Sequence, residues 1–181
     1  MYRTCIADFK PTLMRNEFLG GNMQEAEESW VPHLLGFILP IVTISGIYQG
    51  GYWSFSGFVY ALGICPFIDH FAPERAPVRS EVSTRAWNGL LYSHALFFYA
   101  CIAILLWRAN LDGFTISVVL GGLSVGIVGG ISGIINAHEA GHRKKGSMIW
   151  RVARLNMFLV LYSHFTTEHN HGHHRNYATE L

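Results

Sequence analysis

Charged residues are scarce in this sequence, and they are very unevenly placed. Only 14% of the 181 residues are Asp, Glu, Lys or Arg, whereas 50% are hydrophobic. None of the charged residues lies in the stretches 31–68, 87–106 and 114–137. At a helical rise of about 1.5 Å per residue, each stretch can cross about 30 Å of hydrocarbon, and the first can cross it twice. The composition therefore indicates a membrane protein, and the net charge of +1 gives no sign of nucleic-acid binding.

Cysteine is scarce as well. Cys5, Cys65 and Cys101 show no CxxC spacing, which excludes a disulfide framework and a four-cysteine iron–sulfur site. A GxGxxG motif is absent too, so the sequence contains no recognisable flavin or nicotinamide site. Residues 1–30 are polar and lack the apolar stretch of a signal peptide. We therefore expect a cytosolic N-terminal segment, 1–30, and a membrane domain, 31–181, whose first spanning helix directs insertion without cleavage.

The charge-free stretches predict an all-α integral membrane protein, a multi-pass helical bundle. The short turn Gln49-Gly50-Gly51-Tyr52 divides the first stretch into a helical hairpin. A fifth apolar stretch is too short to span, and we expect it to form a short helix that is buried or partly inserted. The predicted spans are 31–49, 52–68, 88–107 and 114–137, and the fifth stretch is 155–165.

Lysine and arginine predict the orientation of these spans. Three basic residues precede the first span, three lie between the second and third, and six follow the fourth. If the N-terminus is cytosolic, twelve of the thirteen basic residues lie inside and only Arg108 lies outside. The sequence therefore predicts that everything after about residue 138 is on the cytosolic side.

The fourth span is rich in glycine at a spacing of four residues. Gly122 and Gly126, Gly126 and Gly130, and Gly129 and Gly133 form such pairs. Small residues at this spacing give a helix flat strips on which neighbouring helices pack closely. We expect these strips to contact other helices of the bundle.

Seven of the ten histidines follow residue 137, and most of them form two groups with helical spacing. His138 and His142 are four residues apart, so both imidazoles lie on one helix face and can reach one metal ion. His169 and His173 share a face in the same way, and His174 lies about 100° further round. Imidazole suits zinc, copper, iron and nickel, so the ligand type does not select the metal. The spacing predicts a metal site built from these five histidines.

Two carboxylates adjoin the histidine groups and are the candidate catalytic residues. Glu139 and Glu168 can bind the metal directly or orient a ligating ring. Three histidines in or beside the spans are expected to make helix–helix or interfacial hydrogen bonds: His33, His70 and His94. The roles of three further residues are left open: Asp69, His164 and His171.

An intramembrane zinc protease is one alternative, because His138-Glu139-Ala140-Gly141-His142 fits HExxH. Leu111-Asp112-Gly113 resembles the aspartate motif of such proteases, but it precedes HExxH instead of following it. The predicted topology also places Asp112 at the outer end of a span and His138 at the inner end. A zinc site would need only one further ligand and would leave two of the second group's histidines unused.

The two histidine motifs resemble those of the bacterial alkane 1-monooxygenase family, which are integral-membrane hydroxylases with two non-haem iron ions. The stretch 136–144 is similar to the first signature of that family, and 168–175 is similar to the second, with Ala178-Thr179 following. The stretch 63–70 resembles the end of the family's second span. The resemblance covers roughly residues 30–181. Xylene-type monooxygenases and fatty acid desaturases are related alternatives with the same chemistry.

The resemblance implies hydroxylation of medium- or long-chain alkanes to 1-alkanols with O2 at a di-iron centre. Its iron ligands would be the five histidines His138, His142, His169, His173 and His174. Family members take electrons from rubredoxin, which is reduced by rubredoxin reductase. The basic stretch 143–154 is a candidate docking surface for such an acidic carrier. The resemblance places the protein in the bacterial inner membrane, with its metal site on the cytosolic side.

Two departures from the family pattern affect this interpretation. Ala140 stands where the family usually has leucine, and the chain ends at Leu181, whereas the family continues to further spans and histidine motifs. We therefore expect an N-terminal portion of a longer protein that is inactive by itself. A truncated membrane protein without activity is the corresponding non-enzymatic alternative.

Overall fold

Helix is the only regular secondary structure in residues 31–72 and 84–168, the part of the chain that the computed structural model describes. The prediction of an all-α protein is confirmed. The helices are α1 (Ile38–Gln49), α2 (Ser56–Val59), α3 (Cys65–Phe71), α4 (Thr84–Asp112), α5 (Ile116–Val128), α6 (Asn136–Gly141), α7 (Met148–Leu159) and α8 (Phe165–Glu168). Residues 1–30 and 169–181, on which several predictions depend, lie outside this part.

Several of these helices join end to end into longer passes. A 3₁₀ segment, Val31–Phe37, leads into α1, and a π-helical turn, Tyr60–Ile64, joins α2 to α3. A second π-helical turn, Gly129–Ile135, joins α5 to α6. Three of the resulting helices are long and apolar enough to cross a membrane: Gly51–Phe71, Arg85–Asp112 and Ile116–Gly141.

In the structure, the helix at the first predicted span is shorter than the helices at the other three. It is apolar and covers His33–Gln49, which at about 1.5 Å per residue falls a little short of a 30 Å hydrocarbon core. The predicted hairpin with the next span is present. Gly50 and Gly51 have φ values of 77° and 59°, a region that residues with a Cβ rarely adopt.

The third and fourth helices extend beyond the predicted spans of 88–107 and 114–137. Charged residues end the apolar stretch without ending the helix, because side chains such as Arg108 and Asp112 pair along the helix surface. Their Nε and Oδ2 atoms are 2.7 Å apart at a spacing of four residues. Hydropathy therefore predicted where the apolar residues stop, and it underestimated the helix lengths.

Serine hydroxyls stabilise the irregular start of the second pass. Gly51–Phe55 winds as a 3₁₀ helix and leaves backbone groups unpaired. The Ser124 hydroxyl donates to the Ser54 carbonyl at 2.7 Å and accepts from the Phe58 amide at 3.2 Å. Ser54 and Ser117 also pair through their hydroxyls at 3.1 Å. Irregular backbone at membrane depth requires such internal partners, since lipid offers none.

The apolar stretch predicted at 155–165 is placed differently by the structure. Helix α7 covers Met148–Leu159, and a turn with Leu161 at φ 58° separates it from the short α8. Ser147 begins α7 by accepting a hydrogen bond from the Trp150 amide at 3.4 Å. The helix is amphipathic and its first turns carry arginines, so a search for continuous apolar residues missed its beginning.

Candidate metal site

His138 and His142 lie together at the end of a membrane-length helix. Helix α6 carries His138, and His142 follows the last α6 residue with helical backbone angles. The ring centroids are 4.9 Å apart and the rings are perpendicular, with an interplanar angle of 89°. The four-residue spacing of His138 and His142 therefore correctly predicted that their two imidazoles lie side by side. Their role as metal ligands stays a prediction.

The geometry of the pair fits a shared metal ion. A metal–imidazole bond is about 2.1 Å long, so two rings on one ion have centres only a few ångströms apart. The Nδ1 atom of His138 lies 3.1 Å from Oε1 of Glu139. A carboxylate at Nδ1 orients a ring so that it binds metal through Nε2. Glu139 is therefore placed to orient His138, one of the two roles expected for it.

The second histidine group, His169, His173 and His174, lies outside the described residues, as does His171. Glu168 is the last described residue, and its Oε2 atom is 3.8 Å from Nε2 of His164, with both side chains exposed. Phe165, four residues before His169 in the sequence, contacts the His138 ring at a centroid distance of 6.0 Å. Within 31–72 and 84–168, no three His, Cys, Asp or Glu side chains come together as a metal-binding group.

Helix α6 is held in place by its buried side. Asn136 donates from Nδ2 to the Leu91 carbonyl at 2.8 Å, which ties α6 to α4. Ala137 and Ala140 are buried against Ile149 and further residues of α7. Ala140 is only 3% exposed, so its small side chain allows α7 to approach closely.

Two asparagines near the site were missed by the sequence analysis. The Oδ1 atom of Asn136 is buried and has no hydrogen-bond partner among the described residues. Asn156 on α7 is 1% exposed and bonds to both Tyr99 and Gly133. Their position in the sequence could have indicated them, because an asparagine within an apolar run is costly to bury unless it has hydrogen-bond partners.

The hydrogen bonding expected of the histidines in or beside the spans is confirmed for His94, whereas the contacts described for His33 and His70 are with aromatic rings. His94 forms a helix–helix hydrogen bond with the Ser132 hydroxyl at 3.1 Å. His33 packs edge-on against Trp87 at 4.5 Å, and His70 contacts Phe71 at 5.0 Å. Asp69 is exposed at the end of α3, and the structure assigns no function to it or to His164.

The glycines of the fourth pass divide into two sets. Gly129 and Gly133 contact Phe98 and Val160, since a Cβ at either position would lie 3.3–3.4 Å from those side chains. The predicted close packing is therefore present on that face. A Cβ at Gly122, Gly126 or Gly130 would meet no atom of the described residues within 4 Å.

These three open glycines line an apolar groove of about 380 Å³. Phe98, Ile102 and Val125 form part of its wall, and Ile134 extends it toward the histidines. Ile134 is four residues before His138, so the groove runs along the helix that carries the pair. Its size and apolar lining suit a hydrocarbon chain.

The zinc protease alternative is opposed by the position of Asp112. Asp112 is paired with Arg108 at the end of α4, and the next helix, Ile116–Gly141, runs back to His138. At about 1.5 Å per residue, that helix separates the two residues by about 30 Å. Asp112 and the histidine pair therefore lie at opposite ends of the bundle and cannot share a metal ion.

Comparison with known proteins finds relatives of one kind. No family model and no solved structure matches the chain. Alkane 1-monooxygenase 1 of Alcanivorax borkumensis is 30% identical over 170 residues, which are 89% of this chain and 42% of that protein. The alkane 1-monooxygenases of Pseudomonas putida and Ectopseudomonas oleovorans are 29% and 28% identical over 82% and 84% of the chain. The chain spans about two fifths of the length of these curated relatives.

Proposed function

We propose that this chain, a homologue of the alkane 1-monooxygenases over most of its length, contributes to the hydroxylation of alkanes to 1-alkanols in a membrane. The observation that carries the proposal is the match to three enzymes of that name over more than four fifths of the chain. The histidine pair supports it, because the pair ends a membrane-length helix beside an apolar groove. An oxidation of hydrocarbon needs both a redox metal and an apolar route to it.

The metal centre in this proposal contains two non-haem iron ions. His138 and His142 would hold part of it, together with His169, His173 and His174. Bound iron would supply the reaction with O2, which amino-acid side chains cannot perform. Glu139 would keep His138 oriented through the contact at Nδ1, and Glu168 is a further candidate ligand or orienting group.

The apolar groove provides a route for the substrate. An alkane dissolves in the hydrocarbon core of the membrane, so it can enter the groove from the side. Gly122, Gly126 and Gly130 leave room along the helix that leads to His138. The chain end that reaches the histidines would be oxidised, which agrees with hydroxylation at a terminal carbon.

Electrons would come from rubredoxin and its reductase, at the end of the bundle where the histidines lie. Exposed basic side chains follow α6 and continue along α7: Arg143, Lys144, Lys145, Arg151 and Arg154. A basic surface attracts an acidic carrier and speeds its approach. The same residues support a cytosolic position for the histidine end in a bacterial inner membrane, by the positive-inside rule.

The test uses the complete protein in membranes of a host without alkane hydroxylases, supplied with rubredoxin and its reductase. We expect n-octane to yield 1-octanol and purified protein to contain about two iron ions per chain. His138→Ala and His142→Ala should each abolish alkanol formation and lower the iron content, because each removes a ligand. His70→Ala is the matched control, because this exposed histidine lies on α3 and its described contact is with the ring of Phe71. Unchanged activity in His138→Ala, or zinc in place of iron, would contradict the proposal.

A further inference from the structure

The helix that leads to the histidine pair changes its winding just before it reaches them. Helix α5 is α-helical to Val128, the turn Gly129–Ile135 is π-helical, and α6 is α-helical again. A π-helical turn accommodates an extra residue, which rotates everything that follows by about 100° relative to an unbroken α-helix. The direction in which His138 and His142 point therefore depends on this turn.

The π-helical turn has little intrinsic stability. Three of its seven residues are glycine and one is serine, and both residue types form helix poorly. Wide turns of this kind occur mostly as single insertions and often at functional sites. The surrounding structure must therefore supply the interactions that keep the turn in this form.

Asn156 supplies a directed interaction with the turn. Its Nδ2 donates to the Gly133 carbonyl at 3.4 Å, and its Oδ1 accepts from the Tyr99 hydroxyl at 2.7 Å. The carboxamide thus links α7, α4 and the π-helical turn. Phe98 and Val160 also touch this region, close to Gly133, but apolar contacts do not set the direction of a carbonyl group.

Packing alone does not explain an asparagine at this position. Asn156 is 1% exposed, and its neighbours on the same face of α7, such as Ala153 and Met157, are apolar and equally buried. A buried carboxamide is costly unless its donors and acceptors are paired. An aliphatic side chain would fill the space without that cost, so the polar group has a different use.

We propose that Asn156 is a positioning residue for the metal site. Held by Tyr99, it fixes the π-helical turn and thereby the orientation of the His138–His142 pair. The proposal rests on the proposed function only in that the pair binds a metal. The hydrogen bond from Asn156 to the turn does not depend on that function.

The test compares three variants of the complete protein in detergent or nanodiscs. Asn156→Leu removes both hydrogen bonds, and Tyr99→Phe removes only the hydroxyl that holds the carboxamide. Ser124→Ala is the matched control, because it also removes a buried hydrogen bond to a main-chain carbonyl, that of Ser54, at the other end of the bundle. Two quantities are measured: amide hydrogen exchange by mass spectrometry, and Co²⁺ binding with its visible absorption, which reports on ligand geometry.

We expect Asn156→Leu to speed amide exchange in peptides from 129–142 and to leave exchange in 51–60 unchanged. Ser124→Ala should speed exchange in 51–60 and leave it unchanged in 129–142. Asn156→Leu should also weaken Co²⁺ binding by about tenfold and alter the cobalt spectrum, whereas Ser124→Ala should do neither. If Asn156→Leu does not accumulate, Tyr99→Phe is the test, and it should change exchange at 129–142 and Co²⁺ binding in the same direction by a smaller amount.

Exchange at 129–142 that stays at the wild-type rate would overturn the proposal. Faster exchange with an unchanged cobalt spectrum would also overturn it, because the turn would then not orient the pair. If the wild-type protein binds no cobalt, the proposed metal site is wrong. The exchange rates alone then decide whether Asn156 holds the turn.

Discussion

At the end of the bundle formed by Tyr48–Phe55 and Arg108–Ser117, serine hydroxyls and the Arg108 guanidinium make hydrogen bonds between neighbouring helices. At the end formed by Asn136–His142 and α7, the carboxamides of Asn136 and Asn156 make the hydrogen bonds between helices. The imidazoles of His138 and His142 lie at the same end. We call these the hairpin end and the histidine end. The hairpin end is closed by Ser54, Ser117 and Ser124, whose hydroxyls are all paired. The histidine end has a π-helical turn, two accessible histidines and an Asn136 oxygen without a partner in the described part of the chain.

This difference indicates how the molecule separates stability from function. Close helix packing and paired polar groups at the hairpin end stabilise the bundle. Both ends contain irregular winding, and at the hairpin end serine hydroxyls pair the irregular backbone. At the histidine end the π-helical turn lies beside a buried Asn136 oxygen that has no partner among the described residues, as proteins tolerate at functional sites. Three substitutions test this difference between the two ends.

The largest effect is expected for Gly46→Ala at the hairpin end. A Cβ at Gly46 would overlap the Trp53 carbonyl oxygen and the Ser56 hydroxyl, and a main-chain carbonyl cannot move aside. We expect a loss of about 3 kcal/mol in the free energy of unfolding, measured by thermal or SDS-induced unfolding in detergent. Gly126→Ala is the control, because nothing described lies within 4 Å of its Cβ position. Equal losses in both variants would contradict the assigned packing.

An intermediate effect is expected for Gly126→Leu in the groove. The leucine side chain would occupy space in the groove, 12 residues before His138, and would obstruct long alkanes more than short ones. We expect alkanol yields from long substrates to fall several-fold relative to short ones, measured by gas chromatography of mixed alkanes. The free energy of unfolding should change little. A destabilisation as large as that of Gly46→Ala would show that another part of the protein fills the groove.

The smallest effect is expected for Asp112→Asn. The carboxylate pairs with Arg108, but both side chains are partly exposed, at 26% and 20%, and such pairs contribute about 0.5 kcal/mol. Unfolding measured at low and high salt should reveal a loss of this size that disappears as salt screens the pair. Loss of alkane oxidation in Asp112→Asn would contradict the assignment of this residue to the end opposite the histidines.

Much of the bundle could be predicted because membrane insertion imposes strong rules on a sequence. Charge-free stretches located the second, third and fourth passes, and the glycines at 50 and 51 located the hairpin turn. The helix ends were less predictable, since ion pairs such as Arg108–Asp112 continue a helix beyond its apolar part. The amphipathic α7 was placed too late for the converse reason, because it mixes apolar residues with arginines.

The candidate site was predictable only in part. The four-residue spacing of His138 and His142 was enough to place their rings together, because an α-helix repeats every 3.6 residues. Asn156 could not be found in this way, since it lies 14 residues beyond His142 and reaches the site through a different helix. The His169, His173 and His174 ligands stay predictions, because they lie outside the described residues.

By itself, the sequence determined the helical class, the membrane setting and the pairing of His138 with His142. Each of these follows from properties that repeat locally along the chain: hydropathy, charge and helical period. Only the tertiary structure decided which glycines pack and which line a groove, where the π-helical turn falls, and which carboxamide supports it. Those features depend on contacts between residues far apart in the chain, and no local pattern encodes such contacts.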